Sequence, residues 1–294
     1  MAKLTLGDNS GAPAIFTVQE VPKAKYGATI DNIIGNIDEN GILQQTKNKA
    51  PSLCFSGVKD VGYFACNGVF EDIQIEEALF PDLIQLTNSA SCQSMFDSSF
   101  VKKVDFHNLV TISGSSACNT MFYRGKMSDT TLGALTRISG SSACRKMFSN
   151  CSIVDVNLGN LEYIDADYAA EEMFDSCSDI KEVNLGKLKI LSGFYVAKSM
   201  FRYCYSLNSI NLDSLEEISG YYACYEMFTN CKIQNIKFPK LVTISGNSPM
   251  ASMFSNCKNL LEIHFRSDMQ TAVEALSGYS TKFGATNATI YFDL

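Results

Sequence analysis

Cysteine carries the widest chemical repertoire in this chain, and its placement is regular. Of eleven cysteines, ten fall in two columns set by a recurring Met-Phe dipeptide. Three residues ahead of that dipeptide, or of its degenerate Val69-Phe70 copy, stand Cys66, Cys92, Cys118, Cys144 and Cys224. Four residues after the Met stand Cys151, Cys177, Cys204, Cys231 and Cys257; only Cys54 lies outside. Thiols so placed could pack, cross-link or hold a metal. A metal site needs Cys-x-x-Cys pairs or Cys/His clusters, whereas the paired cysteines here are seven apart and the chain has two histidines. A disulfide ladder between neighbouring repeats is geometrically open. Yet Ala170, Ala197 and Met250 replace members of the first column, and Ser99 and Gly125 members of the second. Such exchange suits volume more than bonding, and free cysteine commonly serves as a small buried hydrophobe. A nucleophilic cysteine needs a histidine partner. His107 and His264 belong to repeats too far apart to share a site. No enzyme chemistry, metal or cofactor is expected.

Two polar or aromatic columns are better candidates for binding. The first is the outward residue of a short strand: Asp105, Asn157, Asn184, Asn211, Lys237 and His264. Two positions earlier lie Lys103, Asp155, Glu182, Ser209, Asn235 and Glu262. Parallel strands would set these on one face, the usual binding face of a solenoid; a solvated strand face is also simply polar. The second column lies five residues before Met, at Tyr168, Tyr195 and Tyr222, with Phe194 and Tyr221 beside it and Tyr203, Tyr205 and Tyr225 nearby. Tyrosine offers an apolar body and a polar tip and is enriched at interfaces. Its rings could also stack on sugars, or merely cover the shoulder of the central repeats. A third pattern, Asn36-Ile-Asp38-Glu-Asn40-Gly41, mimics half a calcium loop. Its twelfth position is Lys47 where a bidentate Glu is required, so Asn40-Gly41 reads as a tight turn.

The elements that position these columns follow from the dipeptide's period. Met95, Met121, Met147, Met173, Met200, Met227 and Met253 are separated by 26, 26, 26, 27, 27 and 26 residues. About eight coils therefore occupy residues 58–266. In "LTRISGSSACRKMFSNCSIVDVNLGN", Ala143, Met147 and Cys151 recur at four-residue spacing, with Cys144 and Phe148 alongside. That spacing predicts one face of a short helix, with Ser139 or Ser141 as its cap. Val156 and Leu158 flank Asn157 at period two, which predicts a short strand. One such unit cannot bury its own apolar face, so neighbours must stack. The extra residue of the 27-residue steps falls just after the cysteine, which assigns it to a turn.

The segment "MFSNCKNLLEIHF", taken with the Ile/Leu-Ser-Gly step, resembles the bacterial leucine-rich repeats of the BspA type. Their pattern alternates an Ala-Phe-x-x-Cys-x-x-Leu segment with Ile-x-Ile strands and an Ile-Gly turn. The likeness covers roughly residues 58–266. It implies an α/β repeat fold: a leucine-rich-repeat solenoid with parallel β-strands and short helices, usually displayed on a cell surface and used for adhesion. A non-enzymatic scaffold recognising a protein or glycan is the function expected. The stretch "GATIDNIIGNIDENGIL" resembles the start of some bacteriophage structural proteins, which gives the alternative of a particle component with a receptor-binding solenoid.

The ends lack the motif. Residues 1–57 read as a β-rich cap or attachment segment, open to self-association. Residues 267–294 read as a closing cap, with Ser267 or Asp268 capping a short helix to Leu276 and "ATIYFDL" as a strand. The net charge of −7 argues against a nucleic-acid partner. The opening residues show no secretory signal pattern, and no apolar run approaches the ~18 residues of a membrane span.

Overall fold

The computed structural model describes residues 58–294 except 69, 72, 73, 128 and 155. Of residues 1–57 it describes the strands Lys3–Gly7, Pro13–Thr17, Ala28–Asp31, Gly35–Ile37, Leu43–Gln45 and Ser52–Phe55. The described coils form a parallel β-solenoid of about eight turns, each coil contributing three sides.

The first side is a seven-stranded parallel ladder. It runs in register through Gln85–Leu86, Thr111–Ile112, Arg137–Ile138, Tyr163–Ile164, Ile190–Ser192, Glu217–Ser219 and Thr243–Ser245. Ile112 faces Ile138, which faces Ile164, and the column continues through Leu191, Ile218 and Ile244. The second side is a column of strands in three hydrogen-bonded groups. The first group holds Gln74–Leu79, Phe100–Asp105 and Asp129–Thr131, with Ser52–Phe55 already paired parallel to Gln74–Leu79. The next holds Val156–Asn157, Glu182–Asn184 and Ser209–Asn211; the last holds Asn235–Phe238, Glu262–Phe265 and Thr289–Phe292. Val156 pairs Val183 and Val183 pairs Ile210, so strand register survives the longer coils. The extra residue sits in the turn between Cys177 and Ile180, where Ile180 N–H bonds to Cys177 C=O.

The third side corrects the helix expectation. Among the described residues, the only α-helix is Gln270–Glu274, in the C-terminal segment. The Met-Phe segment is instead a ribbon of overlapping turns. Ala117, Asn119, Met121 and Tyr123 donate their amides three residues back, to Gly114, Ser116, Cys118 and Thr120. The amides between them, of Ser116, Cys118, Thr120 and Phe122, donate across to Ser141, Ala143, Arg145 and Met147 of the next coil. Every fourth residue is left-handed: Ser116, Thr120 and Arg124, then Ser142, Lys146 and Asn150, then Tyr168, Glu172 and Ser176. The ribbon thus repeats at four residues, which a helical reading cannot distinguish from i, i+4. A left-handed L-residue costs roughly 1–2 kcal/mol. Full burial of Phe, Met and Cys in every coil outweighs this, since one buried Phe or Met alone contributes about 1.5–3 kcal/mol.

Each ribbon enters through a point of close backbone approach. A Cβ on Gly140 would land on the carbonyl of Gly114, and one on Gly220 on the carbonyl of Gly193. The core is a single stack along the coils. Phe70, Phe96, Phe122, Phe148, Phe174, Phe201, Phe228 and Phe254 lie face to face, with centroids 5.3–5.8 Å apart. The C-terminal segment packs Met269, Val273 and Phe283 against the last coil, and the Phe254 N–H donates to Phe283 C=O. Its helical start is not side-chain capped: Arg266 occupies the N-cap, ahead of the 3₁₀ turn Ser267–Met269.

Candidate functional site

The ten cysteines of the two columns are free and buried. The second column does more than fill space. Cys151 Sγ donates to Phe122 C=O at 2.9 Å, Cys177 to Phe148 at 3.0 Å and Cys204 to Phe174 at 3.2 Å. Cys231 and Cys257 repeat the bond to Phe201 and Phe228. Ser99, which replaces a cysteine, donates its hydroxyl to Phe70 C=O at 2.7 Å. Burial pushes the Cys151 thiol up to about 12 and raises Cys177, Cys204 and Cys231 well above the ordinary value. In the first column, the hydrogen bond with Cys144 and then burial raise Cys118. A thiol held protonated is a poor nucleophile and a poor metal ligand.

The outward strand column is tied up largely in its own turns. Asn157 Oδ1 accepts the Gly159 N–H at 3.1 Å, Asn184 the Gly186 N–H at 2.9 Å and Asn211 the Asp213 N–H at 2.9 Å. These are Asx turns, in which a side chain replaces a backbone acceptor. Each amide also fills the space a side chain would take one coil back: Cβ atoms on Gly159 and Gly186 would meet Asn184 Nδ2 and Asn211 Nδ2 at 3.3 and 2.9 Å. Asp105 plays the same part for the His107 N–H at 3.0 Å and holds His107 Nδ1 at 2.9 Å. Glu182 is exposed opposite Ser209. Lys237 lies in register with His264, whose ring bonds Asp293 at 2.8 Å and Glu262 at 3.4 Å and stacks on Tyr291 at 4.9 Å. Asp155 lies outside the described residues. The structure brings Asn157, Asn184 and Asn211 into one ladder, and Lys237 and His264 into another; Asp105 belongs to a third.

The tyrosines do come together. Tyr168, Tyr195 and Tyr222 open successive ribbons at left-handed positions and stack at 5.7 Å, with planes 20° and 5° apart. Phe194 stacks on Tyr221 at 4.9 Å, and Tyr221 and Tyr225 meet Tyr222 edge-on at 4.5 and 5.1 Å. Phe194 is 46% exposed and the nearby Tyr205 52%. The Lys198 ammonium lies 5.0 Å from the Tyr195 ring centroid. Desolvation beside Tyr221 raises the Tyr195 hydroxyl, and a hydrogen bond with Glu226 raises that of Tyr225. Both are therefore neutral donors near pH 7.

Beside this stack runs an ion-pair ladder. Glu171, buried, accepts Arg145 from one coil at 2.6 Å and Lys198 from the next at 3.0 Å. Arg202 joins Asp175 at 2.8 Å and approaches Glu172 and Glu226. Its signal was present in the sequence as opposite charges one coil apart: 145, 171 and 198. The ladder clamps adjacent coils and fixes the platform under the tyrosines.

These features define a parallel-β repeat solenoid carrying a local aromatic surface. Residues 138–225 and 171–280 match the BspA type leucine rich repeat region, in six copies. Residues 138–280 are thus BspA-type leucine-rich repeats. A leucine-rich repeat protein from Bacteroides ovatus aligns with 91% of this chain and 75% of its own length, at 16% identity and a TM-score of 0.36. A leucine rich cell surface protein from Faecalibacterium prausnitzii aligns with 85% and 86%, at 11% identity and a TM-score of 0.31. No curated protein matches the sequence. A stacked-repeat solenoid of this kind is a scaffold for protein binding. Among the described residues no helix is long and apolar enough to cross a membrane.

Proposed function

We propose that the chain is a non-enzymatic binding scaffold that holds a protein partner against its tyrosine stack. The observation that carries this reading is the geometry of Tyr168, Tyr195 and Tyr222. Tyr195 is stacked on both faces, and Tyr168 and Tyr222 on one face each, at 5.7 Å spacing. The three rings are half-buried, so they offer mainly edges and hydroxyls, flanked by the exposed Phe194. A sugar ring needs an open aromatic face to lie on. A protein surface is served well by edges, tips and apolar shoulders, the pattern of tyrosine-rich hot spots. The ladder through Glu171 and Arg202 supports this surface by holding the coils in register, so little ordering cost falls on binding.

The test compares the wild type with a Tyr195→Ala/Tyr222→Ala variant in pull-downs and on a glycan array. A protein captured by the wild type and lost by the variant, with urea unfolding little changed, is the expected result. Capture that is the same for both removes the stack as the binding surface. Glycan binding that depends on the two tyrosines overturns the choice of a protein partner.

A further inference from the structure

The seven-stranded ladder ends on an open edge. Thr243–Ser245 pairs with Glu217–Ser219 on one side and, among the described residues, with no strand on the other. In earlier coils the equivalent groups are used. Glu216 C=O accepts the Val242 and Thr243 amides, Gly220 N–H donates to Ser245, and Tyr222 N–H donates to Asn247. One coil later the corresponding groups are the Val242 and Ile244 carbonyls and the Gly246 and Ser248 amides. Among the described residues, none of these four has a backbone partner across the edge. The C-terminal segment covers the ribbon at Phe254 but leaves this corner bare. Val242 is 52% exposed, Thr243, Ser245, Gly246 and Asn247 are exposed, and Ile244 is half-buried. Its counterparts Ile112, Ile138, Ile164, Leu191 and Ile218 are fully buried.

We infer that this edge binds an extended segment of another polypeptide, added in parallel as a further strand. Acceptors at Val242 and Ile244 continue the carbonyl positions that earlier coils use, such as Glu216 and Ile138, and the donor at Gly246 continues those of Gly193 and Gly220. Main-chain hydrogen bonds supply affinity in this mode, and alternate side chains supply specificity. The register dictates the incoming sequence. Opposite Ile244 it needs Ile or Leu, the residue types that continue the column through the preceding coils. Opposite Gly246 it needs glycine or at most alanine, the residues that hold this position at 114, 140, 166, 193 and 220, because a Cβ on Gly246 itself would strike the Gly220 carbonyl. The ligand class is therefore a strand carrying Ile/Leu, one intervening residue, then Gly or Ala.

A fluorescein-labelled peptide of residues 134–143, ALTRISGSSA, is the probe. It contains no aromatic residue to engage the tyrosine stack. With the full chain, saturable binding is expected, with slowed amide exchange at Gly246 and Ser248. Peptides with Gly140→Val or Ile138→Asp are expected to bind at least tenfold more weakly. The protein itself is unaltered, so misfolding cannot mimic the loss. The Tyr195→Ala/Tyr222→Ala protein should bind the peptide as the wild type does, so this inference and the tyrosine reading fail separately. No saturable binding, equal binding of the Gly140→Val peptide, or protection elsewhere overturns it. So does self-association of the chain that protects the same two amides without any peptide binding, which would make a second copy the occupant.

Discussion

A thiol that donates to a carbonyl can be exchanged for a hydroxyl, and the chain already makes that exchange at Ser99. Cys177→Ser is accordingly expected to stay within about 1 kcal/mol of the wild type in urea unfolding. Cys177→Ala, which leaves the Phe148 carbonyl without its second donor, is expected to lose about 1–2 kcal/mol. Reactivity gives an independent check. Burial holds Cys151 and Cys224 near 12 and Cys257 near 11. Native protein at neutral pH should therefore show almost no labelling of the ten column cysteines by a thiol reagent, and full labelling once unfolded. The same shifts set a pH dependence. Folded thiols titrate above the unfolded value of about 8.5, so their contribution is intact below that pH. It is lost as pH climbs from there toward 12, and the urea midpoint should fall over that window. A midpoint that is flat between pH 8.5 and 11 would count against burial of the columns.

The ribbon is the element whose identity the residues concealed. Ala143, Met147 and Cys151 are spaced as on a helix, and all are buried as a helix face would be. What differs lies between them, at Ser142, Lys146 and Asn150, which are left-handed. Serine, lysine, threonine and tyrosine fill this position across the coils, so only the asparagines at 150, 230 and 256 hint at it. The strands were legible because period two has no competitor at Val156–Leu158, and the turn after Cys177 because an insertion there left the register intact. The asparagine column was legible as a column. Its role was not, although Asn157-Leu-Gly159 and Asn184-Leu-Gly186 are Asx-turn sequences. The tyrosines could be counted from the sequence, whereas the covering of their faces could not. Two substitutions probe the ribbon. Arg124→Gly, at an exposed left-handed position, should raise stability by up to about 1 kcal/mol. Gly140→Val, at the close approach to Gly114, should cost at least about 3 kcal/mol or prevent folding.

In the whole molecule each coil touches mainly its neighbours, so stability is a sum of coil and interface terms. The face-to-face phenylalanines make the interfaces nearly interchangeable, with centroid spacings within 5.3–5.8 Å. Removing residues 122–147 joins Met121 to Phe148 and leaves every remaining coil with an equivalent neighbour. The shortened chain is expected to fold, with a lower urea midpoint and an m-value smaller by roughly a tenth. A chain that fails to fold would show that the coils are less equivalent than their stacking implies. Phe148→Ala, which opens a hole in the middle of the stack, should cost about 3–5 kcal/mol.

Alternate amides in the ribbon have different jobs, one closing a turn and the next bonding across to the following coil. This gives the segment something like a reading frame. A single residue inserted between Gly140 and Asn150 would hand each amide its neighbour's task, turn the Met and Phe side chains out of step with the coils on either side, and break both partnerships at once. In this chain the added residue of the longer coils accordingly falls after the second cysteine, where the frame is undisturbed.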